Sequence, residues 1–131
     1  MNYEQSIDYI HSIPKFRRPL GNANLEKLLT HLDNPQKKLK FIHIAGTNGK
    51  GSTAAMTAEI LKKSGFKTGL FTSPYLEVFN ERIRINGENI TDNDLAEYVT
   101  RVKAIMKKNN ALVSEFAFIT AVSFLYFYEK Q

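Results

Sequence analysis

Apolar residues at the start of the chain recur at helical spacing. Tyr3, Ile7, Ile10 and Ile13 share one face of a segment over 3–13, and Pro14, with no N–H to give, ends it. The polar stretch KFRRPLGNAN reads as a loop, and Asn24 is placed to cap a second helix with Leu25, Leu28, Leu29 and Leu32 on one face. DNP at 33–35 stops that helix. The pattern then changes. FIHIA at 41–45 is a short apolar run, read as a buried strand, and FKTGLFT at 66–72 predicts a second strand. Between them a glycine-rich turn leads into a helix expected from about Ser52 to Lys63 and closed by Gly65. A strand-helix-strand unit of about 30 residues suits a right-handed crossover in a parallel sheet.

SPYLEVFN reads as a loop, and ERIRINGENI alternates around Asn86-Gly87, a strong hairpin signal. Thr91 is placed to cap a helix that opens with Asp92 and Asp94 and runs to about Lys108. EFAFITAVSFLYFYEK predicts a last helix. Its Phe116, Phe118, Ile119, Val122, Phe124, Leu125, Tyr126 and Phe127 cover nearly the whole circumference, so it needs burial on several sides. Two visible parallel strands offer too little for that, and the chain reads as stopping in mid-fold with more sheet to follow.

Composition narrows the chemistry. With no cysteine among 131 residues, disulfides and thiolate metal sites are excluded. No apolar run approaches the ~18 residues of a membrane span. MNYEQSIDYIHSI lacks the basic start and apolar core of a secretory signal, so a cytoplasmic location is expected. The net charge of +5 comes from dispersed bases, with small clusters at Lys15/Arg17/Arg18, Lys37/Lys38/Lys40 and Lys107/Lys108. No nucleic-acid motif accompanies them, and a positive field also serves an enzyme of polyphosphates or polycarboxylates.

The turn GTNGKGST at 46–53 carries the chemistry. It departs from G-x-x-x-x-G-K-[ST], because Ile44 stands where the first glycine belongs and Gly51 where the hydroxyl belongs. The physical requirements are still met. Gly46 and Gly49 allow backbone conformations that aim successive N–H groups at phosphate oxygens, and the helix start adds its dipole. Lys50 has the reach for β and γ phosphates. Ser52 or Thr53 offers a hydroxyl to Mg2+, with Ser52 favoured because Gly51 clears the space beside it.

HIAGTNGKGST resembles the phosphate loop of the Mur-ligase superfamily. Together with FTSPYLEVFNERIRING, with LEKLLTHLDNPQKKLKFIHIAGTNGKGS and with TAVSFLYF, it is similar to the folylpolyglutamate synthase family, whose members often also act as dihydrofolate synthases. The resemblance implies an α/β fold, a P-loop-containing parallel sheet flanked by helices of the Mur-ligase central-domain type, here truncated. The expected layout is a helical lead-in over about 1–39, the P-loop unit over 40–72, a substrate loop and hairpin over 73–90 and helices over 91–131. It implies an ATP-dependent ligase with ATP and Mg2+ as cofactors. Folate or dihydropteroate is activated as an acyl phosphate and attacked by L-glutamate. Lys50 is the implied catalytic residue, and Gly46, Thr47, Asn48, Gly49, Lys50, Gly51, Ser52 and Thr53 the nucleotide cradle. Pro74, Tyr75, Glu81 and Arg82 would shape the folate pocket, and Ser73 would join Ser52 at the metal. For Tyr75 and Phe79 loop packing stands as an equal alternative, and for Arg82 and Arg84, alternating on the expected hairpin face, the alternative is a solvated face. No nucleic acid or membrane partner is implied, and a full-length member is expected to be a monomer.

Two departures qualify the resemblance. The family pattern [TS]-E-F-E-x-x-T-A places a magnesium-binding glutamate where SEFAFITA has Ala117. Glu115 is the carboxylate left as a metal candidate, although two positions on a helix differ by about 200°. The family's later histidine ligand, modified lysine and glutamate-binding domain have no counterpart in these 131 residues, so the piece alone is expected to be inactive. His43 reads as structural. A nucleotide-binding module without ligase activity is the main alternative. A Mur ligase of cell-wall precursors is disfavoured by SPYLEVFNERIRING.

Overall fold

A computed structural model describes residues 1–18 and 20–131; Pro19, in the expected loop, lies outside them. The chain divides into two compact units, one of Met1–Leu39 with Asp92–Lys130, the other of Lys40–Thr91 with Gln131.

The first unit is helical. Helix α1 (Tyr3–Ser12) opens on a capping box: Asn2 Oδ1 accepts from the Gln5 N–H at 2.8 Å, and the Gln5 side chain accepts from the Asn2 N–H at 3.0 Å. Helix α2 (Ala23–His31) has Asn22, not Asn24 as the sequence suggests, at its N-cap position, with no capping bond from its side chain. Asn24 lies inside the first turn, past the position a cap occupies, and its amide donates to the Leu112 carbonyl, 2.9 Å away. Asp33 and Asn34 adopt left-handed backbone, φ +65° and +49°, and Pro35 starts a 3₁₀ turn, Pro35–Lys38. Helix α4 (Asp92–Lys108) follows directly on Thr91.

Helix α5 (Glu115–Glu129) is capped by Ser114, whose side chain accepts from the Ala117 N–H. It packs on α1, α2, α4 and the 3₁₀ turn. Phe118, Ile119, Ala121, Val122 and Leu125 are buried with Ile10, Leu28, Leu95, Val99 and Val102. Neighbouring helices thus cover most of its circumference, so the burial of this helix does not by itself require more sheet. Phe116 stays exposed.

Where α4 meets the end of α5, Arg101 grips Glu129 with two bonds, of 2.6 and 2.8 Å, and its guanidinium lies 5.1 Å from the centre of the Tyr98 ring. The hydrogen bond from Arg101 holds the Glu129 carboxyl below its ordinary range. A lowered folded pKa gives stability that is present above the unfolded value and lost as pH falls through the folded one. Arg101→Ala is accordingly expected to cost about 0.5–1 kcal/mol at neutral pH, the worth of a largely solvated pair. Urea unfolding of both proteins at falling pH checks this, with the difference shrinking across the carboxylate range.

In the second unit, helix α3 (Lys50–Lys63) ends in a Schellman motif: Gly65 at φ +93° donates to the Lys62 carbonyl and Phe66 to that of Leu61, both at 3.0 Å. It packs on strand β1 (Gly69–Phe71), yet none of its residues is buried. Strands β2 (Ile83–Ile85) and β3 (Glu88–Asn89) complete a three-stranded sheet in the order β1-β2-β3, all antiparallel, with Leu70 opposite Arg84 and Arg84 opposite Asn89. Asn86 (φ +51°) and Gly87 (φ +82°) make the hairpin turn their sequence announces.

The parallel crossover expected over 41–72 is not formed among the described residues. Residues 41–45 are not in a strand, and Phe41 and Ile42 are 53% and 64% exposed. A parallel strand exists through neighbours on its edges and layers on its faces, and an apolar run without them has nothing to pair with.

A 3₁₀ turn, Phe79–Arg82, leads into β2. Its Asn80 is buried and donates to the Ile90 carbonyl at 2.7 Å, tying the turn to the end of the hairpin. Asn80→Ala would strand that buried carbonyl, and the expected loss is about 1–2 kcal/mol in a denaturant melt.

Candidate functional site

The loop at 46–53 has the backbone that a phosphate cradle needs. Gly49 is the N-cap of α3, with φ +74° and ψ 0°, and Gly46 has φ +156°. A Cβ added at Gly49 would meet no atom within 4 Å, so backbone conformation, not crowding, is what asks for glycine there. The helical ladder begins with the Thr53 N–H bonding the Gly49 carbonyl at 2.9 Å. The N–H groups of Lys50, Gly51 and Ser52 precede that bond and stand at the positive end of a 14-residue helix. Lys50 is the first helical residue. It and Gly46, Thr47, Asn48, Gly49, Gly51, Ser52 and Thr53 are all exposed, which leaves the cradle open to solvent. Gly51 likewise has open space where a Cβ would sit.

Strand β1 delivers Thr72 and Ser73 to a loop entered through a cis Ser73-Pro74 bond. Arg82, only 7% exposed, donates from Nη2 to Ser73 Oγ at 3.1 Å and from Nε to the Thr72 carbonyl at 3.4 Å, with its guanidinium over the Phe71 and Phe79 rings. Among the two readings of Arg82, solvated face or pocket residue, the solvated one is corrected: the side chain is inside the unit and orients Ser73. Tyr75 packs edge-on against Phe79, 5.8 Å between ring centres, which is the loop-packing alternative for that pair.

Glu81 is committed to the loop backbone. One carboxylate oxygen accepts the N–H groups of Leu76, Glu77 and Val78 at 3.1, 2.6 and 3.1 Å. The bond from the Glu77 N–H, first among these, holds its carboxyl below the ordinary range. Glu81→Ala is expected to strip hydrogen-exchange protection from the amides of residues 76–78 while leaving the hairpin amides protected. In the unchanged protein the same protection should fade on acidification, as pH drops through the lowered carboxyl pKa. NMR exchange rates measured residue by residue check both.

Glu115 and Ala117 belong to the helical unit. Glu115 opens α5, and its N–H donates to the Pro14 carbonyl at 3.0 Å. Ala117 lines a cleft of about 250 Å³ together with Arg17, Leu25, Leu112, Phe116 and Thr120. Among the described residues no group of three His, Asp or Glu side chains is gathered for a metal ion.

The ties of Asn80 and Arg82 were not foreseen from the sequence. FNER gave the residue types, but which backbone group each would hold depends on the path of the loop.

A glycine turn feeding the N-terminus of a long helix, followed by a short sheet, defines an α/β chain with phosphate-loop geometry. No family model matches it. Over its whole length the chain is 41% identical to the folylpolyglutamate synthase of Lacticaseibacillus casei, covering 32% of that protein. It is 39% identical to the dihydrofolate synthase/folylpolyglutamate synthase of Bacillus subtilis, with 97% of this chain and 30% of that one covered. A solved structure of the Lactobacillus casei folylpolyglutamate synthetase matches with a TM-score of 0.93 at 42% identity, covering 100% of this chain and 34% of that one. The chain belongs to the folylpolyglutamate synthase/dihydrofolate synthase family. It spans about a third of the length of these relatives. One solved neighbour, with a TM-score of 0.93 and 41% identity over 100% of this chain and 33% of its own, is an FPGS-AMPPCP-folate complex.

Proposed function

We propose that this chain supplies the nucleotide-binding part of an ATP-dependent ligase that joins L-glutamate to folate, with dihydropteroate as a further acceptor. The observation that carries the reading is the left-handed Gly49 placing three N–H groups and Lys50 at the start of α3. In such a reaction the nucleotide supplies the phosphoryl group that activates a carboxylate, and the charge on that group must be offset where it moves. Here the offset comes from the N–H groups of Lys50, Gly51 and Ser52 and from the Lys50 ammonium. Ser52 and Ser73 are the hydroxyls assigned to Mg2+, with Arg82 holding Ser73 in place. Glu115 is the remaining carboxylate candidate. Residues 41–45 are assigned as the parallel strand leading into the loop, paired once the rest of a synthase sheet is present.

Pro74 and Tyr75 are assigned to the rim of the folate pocket. Glu81 and Arg82 act there through the backbone and the Ser73 hydroxyl that they hold. The module reading, nucleotide binding without ligation, draws support from Ala117, whose methyl group stands where the family pattern places a metal-binding carboxylate. Calorimetric titration of the chain with ATP, with and without Mg2+, tests the common core of both readings: saturable binding supports it and its absence sinks it. Transfer of labelled glutamate to folate by a full-length protein carrying this sequence separates them.

A further inference from the structure

Asparagine followed by glycine occurs twice in the chain, at Asn48-Gly49 in the phosphate loop and at Asn86-Gly87 in the hairpin. The pair is reactive because no side chain beside the glycine nitrogen hinders its attack on the asparagine amide carbon. Backbone freedom at glycine also lets the chain bend into the five-membered succinimide that results. Whether a given pair reacts then depends on how firmly the fold holds its amide.

The fold treats the two pairs differently. Asn86 is half-buried, and its Oδ1 accepts from the Thr68 N–H at 2.9 Å. Its own N–H donates to the Thr68 carbonyl, also at 2.9 Å, so side chain and backbone are both pinned to the residue that leads into β1. Asn48 is exposed and lies in the turn ahead of α3, outside helix and strand. Among the described residues no hydrogen bond holds its side-chain amide, and none engages the Gly49 N–H. The helical ladder uses the Gly49 carbonyl, which accepts from Thr53, and leaves the Gly49 nitrogen out. The attacking atom is therefore unoccupied, and its target is free to turn toward it.

We propose that Asn48 is a site of spontaneous deamidation that closes the phosphate cradle, and that nucleotide in the loop protects it. The Gly49 nitrogen bonds to the Asn48 side-chain carbonyl carbon, and the bond from that carbon to the amide nitrogen breaks. The amide nitrogen leaves as ammonia, taking the proton that Gly49 gives up. Water then opens the succinimide. Opening at the side-chain carbonyl leaves aspartate; opening at the backbone carbonyl leaves isoaspartate, whose main chain is one methylene longer. Either product sets a carboxylate beside the positive start of α3, where its charge repels a phosphate. A phosphate group seated on the loop restrains Gly49 and shields Asn48, so occupied chains keep the amide and idle ones lose it. The protection rests on the nucleotide reading of the loop; the reactivity of Asn48 does not.

Incubation of the whole chain under mildly alkaline conditions, followed by peptide mapping with mass spectrometry, is the test. Asn48 is expected to convert about three- to tenfold faster than Asn86, the worth of the hydrogen bond that Asn86 must first break. In urea the two rates should converge, since an unfolded chain holds neither amide. Saturating ATP should slow Asn48 and leave Asn86 unchanged. Asn48→Asp, which is one of the two products, should bind ATP about tenfold more weakly or worse by calorimetry. Conversion at Asn48 no faster than at Asn86 in the folded chain would overturn the proposal, and so would full ATP affinity in Asn48→Asp. Fresh chain that binds no ATP would instead sink the nucleotide reading and the protection with it, while the ratio of the two rates still decides the reactivity of Asn48.

Discussion

Replacing Lys50 by alanine is expected to weaken ATP binding about ten- to a hundredfold, the worth of a charge-assisted contact of about 1.5–3 kcal/mol. The residue is the first of α3 and exposed, so its ammonium has no structural duty in the helix core. No residue of α3 is buried, and removing the side chain leaves the Gly49 cap and the Thr53–Gly49 bond intact. The backbone half of the cradle therefore survives in Lys50→Ala, and residual binding through N–H groups is expected. Calorimetry with ATP and ADP reads the effect, and unfolding midpoints of the two proteins should coincide. Unchanged affinity would remove Lys50 from the proposed role; a shifted midpoint would mean that the helix start depends on it.

What was legible in the sequence is what short-range chemistry decides. Pro14 ends α1, Asn86-Gly87 makes the hairpin, and Gly65 closes α3, because each conformation is set within a few residues of the signal. The glycine turn of the loop is legible for the same reason: a glycine admits without strain the left-handed backbone that Gly49 adopts. Readings that depend on distant partners fared differently. Helix α2 begins two residues before the expected Asn24 start and takes Asn24 into its first turn, where it bonds Leu112, and residues 41–45 do not form a strand, because strand formation is a property of a pair and not of an apolar run. Glu81 illustrates the limit for sites. A carboxylate in a candidate substrate loop reads as a ligand contact, whereas the loop folds back and spends it on three of its own N–H groups. Arg82 likewise reaches Ser73, a hydroxyl nine residues earlier, through a hairpin that sequence spacing could not orient.

Phe118→Ala is expected to cost the helical unit about 3–5 kcal/mol, the range for emptying a large buried aromatic site. Phe118 has no exposed surface, and its ring meets Tyr9 of α1 edge-on, 5.6 Å between centres. The ring therefore closes a contact between α5 and the first helix. Tyr9 carries a second load, since Lys103 and Lys107 of α4 lie 4.2 and 5.8 Å from its ring centre. Losing Phe118 removes the edge-on partner of that ring and leaves a cavity among helices whose side chains cannot all shift to fill it. The loss approaches the whole stability of a small domain, so a large fraction of unfolded chain is expected on gentle warming. Urea unfolding followed by circular dichroism measures it. Phe118→Leu keeps most of the volume without the ring, and should recover more than half of the lost stability if cavity formation dominates. Recovery of little or none would instead assign the loss to the aromatic contact with Tyr9.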